Sequence, residues 1–114
     1  MRVTPWRVAF GLVVLLSLVV LFAPGSDVPT GVPVSDKLVH GGLFAALALT
    51  GVPAGVPPVG LATALAAYAG ISEVLQGVLP ISRDADWRDA LADIVGVVVG
   101  LVLAVRLRPR GRAS

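Results

Sequence analysis

The chain has no cysteine and one histidine, His40. The first absence removes disulfides, thiolate metal centres and cysteine nucleophiles, and the second removes any multi-histidine zinc site. Charge is scarce as well: 14% of the 114 residues are Asp, Glu, Lys or Arg, against roughly a quarter in a soluble domain. With 56% hydrophobic residues in so short a chain, a water-soluble globule could not hide its apolar surface, and the sequence reads as an integral membrane protein. The net charge of +2 comes from the two chain ends rather than from one basic face, so no nucleic-acid partner is expected.

The apolar residues fall into four blocks divided by proline, glycine and charge, which predicts an all-α, four-helix bundle forming a single domain over residues 1–114. The first helix is expected at about 8–22, with Thr4 and Pro5 as N-cap and first helical residue and Trp6 at interfacial depth. Its length and basic flank also suit a signal peptide. No small-x-small cleavage site follows, however, and Pro24 comes straight after Ala23, so an uncleaved helix is favoured. Ser35 is the expected cap of a second helix at about 36–52. Pro53, Pro57 and Pro58 stop it and give a tight, uncharged connection. The third helix, about 59–79, is long enough to cross a hydrocarbon core of ~30 Å and ends at Pro80. The fourth runs from about 87 to 107, with Asp86 as its cap.

Six of the nine basic residues lie at the chain ends, and the connection between the second and third helices holds none. Four spans with both the N- and C-termini cytoplasmic satisfy that asymmetry. The multi-pass protein is then expected in a bacterial plasma membrane, with the lipid bilayer as its principal partner. The first and third connections, which carry Lys37, Arg83 and Arg88, lie outside.

A carboxylate at the bilayer centre costs roughly 2.5–3.5 kcal/mol even on the lenient insertion scale, so Glu73 should face protein or water. At 100° per residue, Ala62, Ala66, Ala69, Gly70 and Gly77 fall within about 60° of Glu73, with Gln76 at the edge of that arc. This predicts a small-residue packing face around Glu73. Asp89, Asp93, Gly96 and Gly100 form one stripe on the fourth helix, and Asp36, His40, Phe44, Leu47 and Gly51 one on the second, with Lys37 at its edge. Counting inward at ~1.5 Å per residue puts His40 and Asp93 roughly 6 Å deep and Glu73 roughly 9 Å deep, a single layer. The candidate cluster is Asp36, Lys37, His40, Glu73, Gln76, Arg83, Asp89 and Asp93, open to the extracytoplasmic side.

The ordered set "SDKLVHGGLFAALAL" and "SEVLQGVLPISRDADWRDALADIVGVVVG" resembles the Asp-Lys-x-x-His-x-x-x-Phe opening and the Glu-x-x-Gln, Arg, Asp and Gly-x-x-x-Gly core of VanZ-like membrane proteins. The match extends from Asp36 to Gly100. By position it carries over Asp36, Lys37, His40, Glu73, Gln76, Arg83 and Asp89 as the polar set and Gly96 and Gly100 as packing glycines. Asp93 departs from it, standing where the family usually has asparagine. The family takes its name from a glycopeptide-antibiotic resistance cluster; the resemblance itself implies neither resistance nor a known reaction, and an accessory role in such resistance or in cell-envelope function is the expectation set beside it.

The leading functional expectation is an outward-facing polar pocket that binds an envelope-related lipid head group, precursor or amphiphile. The alternative is an integral membrane enzyme acting on a lipid-linked envelope substrate, with Glu73 or Asp89 as general base and His40 as proton partner; no nucleophile motif supports it, and no residue is assigned as catalytic. Ion movement is a third reading, but no charge lies in the inner half of any helix. A divalent cation on Asp36, Glu73, Asp89 and Asp93 is chemically open, yet Lys37 and Arg83 stand beside them as counter-charges. No metal and no cofactor is therefore expected. The oligomeric state stays open, since the Gly96 and Gly100 face suits packing within a chain or between chains.

Overall fold

A computed structural model describes residues 4–23, 33–81 and 85–107, without the side chains of 33–36. Its regular structure is entirely helical among those residues: α1 (Pro5–Phe22), α2 (Pro33–Gly51), α3 (Pro58–Val78) and α4 (Trp87–Arg106).

Local chemistry sets the ends. The Thr4 hydroxyl accepts the Arg7 N–H at 3.2 Å, and Pro5 follows in the first turn, where its missing N–H costs nothing. The second helix begins at Pro33 rather than after Ser35. A proline already holds φ near the helical value, so it opens the helix and leaves Ser35 inside it. The turn 52–55 closes α2, and Gly55 takes the left-handed conformation there at φ 106°. Asp86 caps α4 as expected, its carboxylate accepting the Arg88 N–H at 3.0 Å.

The bundle is built on α2 against α4. A Cβ on Gly96 would land on the Gly41 carbonyl, and one on Gly100 would sit 2.5 Å from the Ala45 oxygen and 2.8 Å from the Ala48 Cβ. The two backbones meet directly because α4 presents only glycine, and α2 only glycine and alanine, at the crossing, as the Gly-x-x-x-Gly spacing predicts. The first helix packs on α2 and more lightly on α3, away from α4.

The packing face of α3 differs from the small-residue arc expected around Glu73. The inward stripe is Leu61, Leu65, Ala69, Ser72 and Gln76, whereas Ala66 and Gly70 are exposed and Ala62 is half-buried. Spacings of four, four, three and four keep that stripe on one side of the helix. It leaves Glu73 at its edge, so another element must bury it. Gly77 serves the expected purpose: a Cβ there would lie 2.8 Å from the Ala85 Cβ.

Apolar residues are not confined to the interior. Leu12, Leu15 and Val19 of α1, Val59, Ile71, Val74 and Val78 of α3, and Leu91, Val95, Val98 and Val102 of α4 are all exposed. Inside, an apolar core that includes Leu21, Phe44, Leu47 and Leu61 is accompanied by Ser17, His40, Ser72, Glu73, Gln76, Asp89 and Asp93. Two of the helices, α1 and α3, are long and apolar enough to cross a membrane, and α2 contains a shorter apolar stretch, Lys37–Gly51.

Candidate functional site

The start of α2, the end of α3 and the start of α4 meet at one end of the bundle. The Arg7 guanidinium marks the other, donating to the Ala54 carbonyl in the α2–α3 turn at 3.1 Å. On α2, Lys37 and His40 are three residues apart; on α4, Asp89 and Asp93 are four apart. Both spacings put a pair on one helix face, and across the tight α2–α4 contact the two pairs interlock. Lys37 Nζ donates to Asp89 Oδ1 at 2.9 Å and lies 3.5 Å from Asp86 Oδ2. One layer deeper, His40 Nδ1 is 2.9 Å from Asp93 Oδ1, and His40 Nε2 is 3.8 Å from Asp89 Oδ2.

Burial grades along this ladder. The Lys37 and Asp86 side chains are 35% and 40% exposed, whereas His40 is 2% exposed and Asp93 fully buried. The outer rung, screened by solvent, therefore gains little from its ion pairs, while the inner pair is costly to break, by ~3–5 kcal/mol. At the rim, the Arg88 N–H donated to Asp86, with the Lys37 ammonium nearby, holds the Asp86 carboxyl below its ordinary range.

Glu73 reaches this end from α3. Neither Lys37 nor His40 is its hydrogen-bond partner; Glu73 Oε2 instead accepts the backbone N–H of Asp86 at 2.7 Å. Gly77 makes that bond accessible by letting Ala85 pass close to α3. The same approach buries Glu73, which is 6% exposed. Its other oxygen, Oε1, is buried with no hydrogen-bond partner, and so is Gln76 Oε1. The Gln76 amide turns elsewhere: Nε2 donates to the Leu21 carbonyl at 2.8 Å, satisfying a last-turn acceptor that α1 cannot satisfy itself.

Of the sequence-predicted residues, Lys37, His40, Asp89 and Asp93 form one ladder, Glu73 joins it through Asp86, and Gln76 ties α3 to α1. Arg83 and the side chain of Asp36 lie outside the described residues. One ligating atom each from His40, Glu73 and Asp93 lie within 4.8 Å of one another.

Three participants escape the sequence reading. Asp86, read there as a cap, also pairs with Lys37 and supplies the N–H that holds Glu73. Ser17 and Tyr68 make a second buried polar contact, with their hydroxyl oxygens 2.8 Å apart. The Ser17 proton is directed at the Val14 carbonyl at 2.7 Å, so Tyr68 is the donor between them. Ser17 did carry a signal, as the lone hydroxyl in the apolar run from Val8 to Phe22.

Among the described residues, the cluster gathers the carboxylates of Glu73, Asp86, Asp89 and Asp93 around the Lys37 ammonium and the His40 imidazole. Such a set suits a cation or a donor-rich group better than a lone anion. Comparison with protein families, with curated proteins and with solved structures returns no match, so the site's chemistry rests on its own geometry.

Proposed function

We propose that the chain is a small polytopic membrane protein of VanZ-like type whose polar cluster binds the head group of an envelope-related lipid, precursor or amphiphile. In this reading all four helices lie in a bacterial plasma membrane with both termini cytoplasmic, and the cluster faces the extracytoplasmic side. The carrying observation is the outer surface taken with the site: exposed leucine and valine cover the helices while charged side chains are gathered inside at one end. Soluble monomers rarely expose so continuous an apolar surface, and ionisable groups within spanning segments mark functional sites by default. Arg7 and Arg106 stand at the opposite end, as the positive-inside rule requires of the cytoplasmic face.

Lys37, Asp86 and Asp89 form the mouth, where an ammonium and carboxylates together suit a head group carrying both an acidic group and hydroxyl or amine donors. The corresponding cellular role is an accessory one in glycopeptide resistance or envelope function. Native mass spectrometry of the protein released from its own membrane is the direct test. A retained lipid or precursor that is lost in Lys37→Met is the expected result. No adduct on the wild-type chain, or the same adduct on the variant, would refute the reading.

A further inference from the structure

We infer that His40, Glu73 and Asp93 form a binding site for one divalent first-row transition cation of the manganese or zinc kind. The ion belongs behind the mouth, among buried side chains, and the inference does not depend on the head-group reading.

Position comes first. Three helices each contribute one donor atom, and these atoms lie within 4.8 Å of one another. Ligands sharing one ion at ~2.0–2.2 Å stand roughly 3–4.4 Å apart, so side-chain torsions suffice to close the set. The second observation is Glu73 itself. Its Oε2 is anchored by the Asp86 N–H at 2.7 Å, while Oε1 is buried without a hydrogen-bond partner. A buried carboxylate oxygen left bare costs its full desolvation. A backbone donor on one oxygen with the other unspent is how an outer shell orients a ligating carboxylate.

Charge and donor type agree. Of the two counter-charges expected to make a cation unnecessary, Lys37 is engaged by Asp86 and Asp89 on the outer rung, and Arg83 lies outside the described residues. The deeper carboxylates of Glu73 and Asp93 face the imidazole of His40. One imidazole with two carboxylates and no thiolate suits manganese, iron or zinc; calcium and magnesium favour oxygen-only shells. Three protein donors also leave a coordination position open, as in sites that exchange water or bind a substrate oxygen.

The test uses the full chain, carrying no histidine tag, delipidated in detergent, stripped with a chelator and dialysed against micromolar Mn²⁺ or Zn²⁺. Elemental analysis should find about one ion per chain, and Glu73→Gln and Asp93→Asn should each weaken Mn²⁺ affinity by ~10- to 100-fold. Ser17→Ala, which disturbs only the α1 contact, should leave it unchanged. Pulsed electron paramagnetic resonance of the wild-type Mn²⁺ form should show one imidazole-nitrogen coupling, a readout that needs no variant to fold. Failure to retain an ion, equal affinity in Glu73→Gln and Asp93→Asn, or no nitrogen coupling would each overturn the inference. An ion bound where no lipid is retained would refute the head-group reading alone; a lipid retained where no ion binds would refute this one alone.

Discussion

Replacing Gly96 with alanine tests whether the site depends on direct contact between two backbones. The added methyl would land on the Gly41 carbonyl oxygen, a rigid part of α2 that cannot rotate aside. At Gly100 the corresponding contact is 2.5 Å, and Gly96 is tighter still, so α2 and α4 must separate. Forcing a methyl group into a well-packed contact costs ~1–3 kcal/mol, and the upper end applies where backbone opposes backbone. Alanine returns ~1 kcal/mol through better helix propensity, so the net loss should be about 2 kcal/mol. Gly70→Ala is the matched control, because nothing lies within 4 Å of its added Cβ. It should be neutral or stabilising by up to ~1 kcal/mol. Trp87, at the start of α4 and exposed, reports both variants by fluorescence during SDS titration. Since Gly41 adjoins His40 and Gly96 lies three residues beyond Asp93, separation also lengthens the 2.9 Å His40–Asp93 contact. Gly96→Ala should therefore weaken Mn²⁺ binding as well. If Gly96→Ala proved as stable as Gly70→Ala, the close-packing argument would be wrong.

Two further outcomes follow from the ladder. Asp93→Ala leaves the buried His40 without its carboxylate and should cost ~3–5 kcal/mol in chelator-treated protein, whereas Asp93→Asn keeps an acceptor and should cost ~1 kcal/mol; equal losses in the same titration would contradict the pairing. Asp86 governs an acid limb: its folded-state pKa is depressed, so the unfolded chain binds its proton more readily. The stabilisation is complete above the ordinary carboxylate value and is lost as pH falls through the lower folded value. Asp86→Asn still caps α4 but does not titrate, so its stability should fall less between neutral and acid pH. Superimposable pH profiles would contradict the assignment.

Glu73 links these results. It sits outside the main packing stripe of α3 and is buried only because Gly77 lets the start of α4 close over it. One carboxylate oxygen holds that closure through the Asp86 N–H, and the other is buried with no hydrogen-bond partner.

Much of this was legible in the residues themselves. Four apolar blocks broken by proline, glycine and charge specify four helices, because chain continuity and local sterics suffice for that step. The stripe from Asp89 to Gly100 and the stripe from His40 to Gly51 follow from helical geometry alone. Helical projection sets the angles between residues on one helix, but the direction that the helix turns toward its neighbours depends on where those neighbours lie. Only the tertiary structure therefore decided that α3 packs through Leu61, Leu65 and Ala69 rather than through Ala66 and Gly70. It also decided that Gln76 serves α1 and that Glu73 is held by a backbone N–H. A backbone donor leaves no mark on residue type, because every residue but proline has one.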